Sequence, residues 1–201
     1  MRGLLIKTVI FGLALHLLVG ASGAWGGPPT EIARQVIERS LEILQNPAYK
    51  GEQRRQMVKR IVDPYFDYRE MAKRTLGPVW GKLNAGQKND FVRLFAELLE
   101  ASYSDKIEKY AKNVKIDYTS EILTGDYAEV RTVLTWPNDR IPLNYRLLKE
   151  GDSWKVYDVV IEGVSLVSNY RSQFRRIIHQ SSYAELVRRL QNKVADLKRA
   201  G

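Results

Sequence analysis

At about Val114 the chain changes period. Before it, apolar residues recur at helical spacing; from Val114 to Glu162 they alternate, which is the pattern of extended strands. Three short connections rich in turn formers cut this stretch: Thr124-Gly125, Pro137-Asn138-Asp139 and Gly151-Asp152. Links this short cannot make a parallel crossover. Val114–Leu123, Asp126–Trp136, Arg140–Glu150 and Ser153–Glu162 are therefore expected to form an antiparallel meander.

The flanks read as helices. Thr30 is expected to cap a helix to about Gln45, with Ala33, Val36, Ile37, Leu41 and Leu44 near one face, and Asn46-Pro47 stops it. Glu52–Val62 follows, broken by Asp63-Pro64; then Asp67–Gly77, with a glycine past its end. Asn84 and Gln87 form a capping-box pair ahead of the longest helix, which runs to about Asn113. Two helices close the chain, Ser165 to about His179 and Tyr183 to about Arg199. The fold class is α+β: N-terminal helices, a four-stranded curled antiparallel meander and two C-terminal helices.

Alternation assigns faces. Ala128, Val130, Leu134 and Trp136 share one side of the second strand; Ile141, Leu143, Tyr145 and Leu147 share one side of the third. Glu129, Arg131, Asn144 and Arg146 point the other way, so one face is solvated along much of the sheet. In the fourth strand strict alternation puts Trp154, Val156, Asp158 and Val160 on one side, and Tyr157, Val159 and Ile161 on the other. Both sides are apolar, so both need cover. Flanking helices can supply it, and so can a ligand cavity on one side.

The first residues differ from the rest. Arg2 and Lys7 precede the apolar run Thr8–Val19, followed by Ala21-Ser22-Gly23-Ala24. That is the layout of a secretory signal peptide over 1–24, leaving one domain over 25–201, mainly helical to 113 and sheet plus helices from 114 to 201. Losing Arg2 and Lys7 would lower the net charge from +9 to +7. There is no cysteine to form a disulfide or carry a lipid anchor. The expected product is a free, monomeric periplasmic protein. For an exported basic chain, acidic proteins or anionic membrane surfaces are better partners than nucleic acid, and no aromatic–basic platform for a nucleic-acid strand is visible.

The turn Gly163-Val164-Ser165 leads from strand to helix, as a nucleophile elbow does. Val167 occupies the place of the second glycine, and the elbow belongs to a parallel sheet. His179 lies fourteen residues along the same helix, roughly 21 Å away at about 1.5 Å per residue, too far to activate Ser165. Ser165 reads as a helix cap and His179 as a surface residue near a helix end. An isomerase-like site would need Asp158 as base with Tyr145 as oxyanion donor. No metal or cofactor motif is present, and the chain is expected not to be an enzyme.

Three segments carry a family resemblance: WKVYDVVIEGVSLVSNYRSQF (154–174), DPYFDYREMAKRTLGPVW (63–80) and FVRLFAELLEASY (91–103). They resemble the MlaC family, also called toluene-tolerance auxiliary proteins, the periplasmic components of a phospholipid ABC transport system. The likeness extends over nearly the whole mature chain and is most specific at Gly163–Arg171. It implies a cone related to nuclear transport factor 2, with an added helical subdomain and a pocket for acyl chains. It also implies phospholipid as ligand, with hopanoid or another lipid open, and as partners an inner-membrane ABC transporter complex and an outer-membrane lipoprotein complex.

With that resemblance, facing and position suggest Val133, Tyr145, Val159, Ile161, Val164, Val167, Tyr170 and Phe174 as lipid-lining candidates. The last helix turns Leu186, Leu190 and Val194 to one side and leaves Arg188, Arg189 and Lys193 as a docking surface for partners or for brief membrane contact. The other readings are a lipid-free adaptor with a filled core and, behind it, the isomerase.

Overall fold

The computed structural model describes residues 27–200; the expected signal peptide lies outside the described residues. Six helices, α1 Pro28–Gln45, α2 Gly51–Val62, α3 Tyr68–Leu76, α4 Ala85–Tyr110, α5 Leu166–Gln180 and α6 Tyr183–Ala200, flank the strands β1 Lys115–Thr124, β2 Tyr127–Trp136, β3 Asp139–Glu150 and β4 Ser153–Ile161. The four long strands pair antiparallel in sequence order. A fifth strand was not expected. β5, Val164–Ser165, pairs with Val160 and Ile161, because Gly163 at φ +80 folds the chain back on β4 before α5 starts.

Local caps work as the sequence implies. Asn84 and Gln87 make the reciprocal capping box of α4. Asp67 accepts the Glu70 amide at 2.8 Å to start α3, and Ser165 accepts the Ser168 amide at 3.0 Å to start α5.

The start of α1 differs. Thr30 is not its cap; the helix begins at Pro28, with Gly27 before it. Proline suits the first helical position, and the amides behind it find their acceptor far away in the sequence. The Glu121 carboxylate of β1 accepts the Gly27 amide at 3.1 Å, the Thr30 amide at 2.9 Å and the Thr30 hydroxyl at 2.6 Å. A β-carbon on Gly27 would lie 2.5 Å from the Glu121 Oε1, so glycine lets the carboxylate approach this closely.

One continuous core joins Ala33 of α1, Val130, Leu147 and Val156 of the sheet, and Met71, Phe95, Phe174 and Leu186 of the helices. Phe174 meets Phe91 and Phe95 edge-on at 5.9 and 6.1 Å between ring centres. No helix among the described residues is long and apolar enough to cross a membrane.

Candidate functional site

The register separates two faces. Ile116, Tyr118, Val130, Thr132, Leu134, Ile141, Leu143, Tyr145, Val159 and Ile161 stand in cross-strand rows on the inner face. α1 crosses that face: Glu121, which shares it, caps the helix, and the Arg34 guanidinium lies 4.1 Å above the Tyr118 ring. Glu129, Arg131 and Arg146 form an ion-paired ladder on the outer face.

In β4 the faces differ from strict alternation. Arg146 pairs with Asp158, but Leu147 pairs with Val156, so Tyr157 is an extra residue in the ladder. A bulge of this kind shifts the parity by one. Trp154 and Val156 therefore share the inner face with Val159 and Ile161, while Asp158 and Val160 stand on the outer one. Tyr157 turns outward beside Tyr127, at 5.9 Å between rings, under the Arg74 guanidinium at 4.2 Å.

Cover over the inner face is uneven. Along β2–β4, Ala128, Val130, Leu147 and Val156 are almost fully buried. Toward the β2–β3 turn, Ile116, Leu134, Ile141, Leu143, Tyr145 and Ile161 remain only half-buried. The end of α4 is tied beside this open end. The Trp136 indole donates to the Tyr110 carbonyl at 3.1 Å, and Gln45 of α1 donates to the Ala111 carbonyl at 2.9 Å. Ile107 and Tyr110, on the last turn of α4, leave large apolar surfaces exposed. Two helix ends thus frame an apolar sheet face that they leave partly uncovered. Burial pushes the Tyr118 phenol up to about 12 and raises Tyr145 further, so both are neutral donors across the physiological range.

Not all the lining candidates meet here. Tyr145, Val159 and Ile161 lie together on the inner face. Val164, opposite Ile161, continues that row at its exposed end, 60% accessible. Val133 faces away, opposite Pro142 and Asp117 on the outer side, because its neighbours Thr132 and Leu134 occupy the inner rows. Val167 and Phe174 are buried, and Tyr170 packs edge-on against Phe95 at 5.4 Å, which places these α5 residues in the helical core. Ile116, Tyr118, Leu134, Ile141 and Leu143 are missing from the expected set. Leu134, Ile141 and Leu143 belong to the inner rows of β2 and β3, where following the Tyr145 face along both strands would have found them; Ile116 and Tyr118 stand across from Leu134 and Thr132 on β1.

The docking candidates sit on α6, but two are engaged. Arg188 and Arg189 both bind Glu185, at 2.7 Å each, and Lys193 is exposed. Two concavities lie elsewhere. One of about 570 Å³ is lined, among the described residues, by Ser172, Arg175, Arg176, His179 and Gln180; one of about 190 Å³ lies on the outer face around Arg131, Arg146 and Tyr157. The first is lined by two arginines, and in the second Glu129 pairs with both Arg131 and Arg146, so neither offers the continuous apolar wall that acyl chains need.

Asp158 is buried and fully engaged, accepting from Ser165 at 2.6 Å, the Val167 amide at 3.0 Å and Arg146 at 3.3 Å. It anchors the start of α5 on the outer side. Tyr145 is on the inner side, so an Asp158–Tyr145 acid–base pair does not assemble.

The family model "MlaC protein" matches residues 34–192. The chain is 26% identical over 160 residues to the intermembrane phospholipid transport system binding protein MlaC of Haemophilus influenzae, an alignment covering 77% of this chain and 72% of that one. Its fold superposes with a TM-score of 0.78 on the phospholipid-binding protein of Ralstonia solanacearum, solved in complex with a phospholipid. That match has 23% identity, over 86% of this chain and 99% of the other. With its meander, its helical layer and a match spanning most of its length, this chain belongs to the MlaC family.

Proposed function

We propose that this protein is a periplasmic phospholipid carrier that holds acyl chains against the open end of the inner face, between α1, the end of α4 and the β2–β4 rows. The observation that carries the reading is the gradient of cover on one apolar face, closed at Val130 and Leu147 and open at Leu134, Ile141 and Ile161. The relatives named for phospholipid transport and phospholipid binding supply the ligand class.

The energetics favour a carrier. Each methylene withdrawn from water contributes about 0.8 kcal/mol, so two chains of about 15 methylenes give roughly 24 kcal/mol gross. Ordering costs reduce this, yet escape into water stays slow. Loading and release then belong at partner complexes, an ABC transporter at the inner membrane and a lipoprotein complex at the outer one. The chain's net charge of +9 favours acidic docking surfaces.

The test is lipid extraction and mass spectrometry of the purified protein beside its Ile161→Glu variant. Ile161 is half-buried, so the variant can fold, and circular dichroism verifies that it has. Co-purified phospholipid in the wild type and its loss from the folded variant support the carrier. A lipid-free wild type after gentle handling would point to the adaptor.

A further inference from the structure

Tyr118 is a phenol without a partner. Its hydroxyl is buried and makes no hydrogen bond among the described residues. Leaving a buried polar group unmatched is costly, and native folds keep few such groups. Its position gives the orphan a meaning. Tyr118 stands on the inner face of β1, in the row Tyr118–Thr132–Leu143–Ile161, beside the half-buried row Ile116–Leu134–Ile141.

Its neighbours offer little to bond. The Thr132 hydroxyl is committed to the Leu143 carbonyl of the adjacent strand. Leu143 and Ile161 are apolar. Tyr145, whose phenol is near enough for Tyr118 to raise its pKa, makes no hydrogen bond with it, and neither do Glu31 and Glu38 of α1, whose charges also raise the Tyr118 pKa. A group that is purely an acceptor needs only one donor. Burial, helped by Glu38 and Glu31 against the Arg34 guanidinium resting on the ring, raises the Tyr118 pKa and keeps the phenol protonated, so its hydroxyl is available as a donor.

We infer that Tyr118 donates a hydrogen bond to an acyl-ester carbonyl of the bound lipid, so that the protein recognises the ester junction of a diacyl lipid as well as its chains. This rests on the carrier reading above and adds a polar contact to it. An ester carbonyl is carried into the site by the chains themselves, offers lone pairs and brings no proton of its own. It is therefore complementary to a lone phenol in apolar surroundings. A diether lipid with the same chains and headgroup keeps the apolar contacts and lacks that carbonyl.

The experiment measures binding of diester phosphatidylglycerol and its diether analogue, of equal chain length, to delipidated wild type and Tyr118→Phe. A fluorescent-chain lipid serves as the competed probe. The wild type is expected to prefer the diester by roughly 3- to 10-fold, as one neutral hydrogen bond provides. Tyr118→Phe should lose that preference through weaker diester binding, with diether binding unchanged. Its lipid-free melting temperature should hold or rise, since the substitution removes an unmatched hydroxyl. Equal binding of both lipids by the wild type, or an unaltered diester preference in Tyr118→Phe, would overturn the ester contact while leaving the carrier intact. A wild type that binds neither lipid would overturn both.

Discussion

Ser165 donates its hydroxyl to the buried Asp158 at 2.6 Å while its own oxygen accepts the Ser168 amide at 3.0 Å. The two residues close the end of β4 onto the first turn of α5, and Asp158 completes the junction by taking the Val167 amide. A serine at a strand–helix turn here is a structural clasp: its proton is held by a carboxylate engaged by two other donors, Arg146 among them.

That clasp should be measurable as stability. Asp158→Asn removes the charge from three hydrogen bonds in a buried site and is expected to cost about 1–3 kcal/mol. Urea denaturation of the two proteins measures it. A change below about 0.5 kcal/mol would mean that α5 is held by its core residues alone.

The long-range cap on α1 makes a second case. Glu121→Ala leaves the Gly27 and Thr30 amides and the Thr30 hydroxyl without their acceptor. The expected loss is about 1–2 kcal/mol, as for an N-cap removed near a helix dipole. Thr30→Val should lose less, because both amide contacts survive. Equal losses in the two variants would contradict the assignment of the cap to Glu121.

Alkaline pH should weaken the fold from about the ordinary tyrosine pKa upward. Burial raises Tyr118 and Tyr103 to about 12. Between their unfolded and folded pKa values the unfolded chain releases protons that the folded one keeps, so stability falls as pH rises through that window. Denaturation midpoints from pH 8 to 11.5 should be flat to about pH 10 and then decline, less steeply for Tyr118→Phe. A flat profile to pH 11.5 would contradict the burial of these phenols.

Docking through α6 is best probed at Lys193. Reversing Arg188 or Arg189 would also break their pairs with Glu185 and disturb the helix itself. Lys193→Glu is expected to slow lipid transfer to liposomes bearing the transporter partners, with carrier loading unchanged. Rising salt should slow wild-type transfer too, because exposed charges are screened beyond roughly 8 Å at physiological ionic strength. Transfer that responds to neither change would move docking to another face.

What the chain decided locally could be read locally. The meander follows from alternation between short turns, and the caps at Asn84, Asp67 and Ser165 each bond an amide three residues on. Three features needed the tertiary structure. Glu121 caps a helix 91 to 94 residues earlier, a pairing no local pattern contains. The extra residue Tyr157 shifts the parity of β4, which turns Asp158 outward and Trp154 and Val156 inward; alternation alone does not reveal where a bulge falls. Whether the inner face is core or cavity is the third. Leu134, Leu143 and Tyr145 carry the same apolar pattern as the buried Val130 and Leu147. Only the reach of α1 and the end point of α4, tied to Trp136 and Gln45, determine which of them stay partly uncovered.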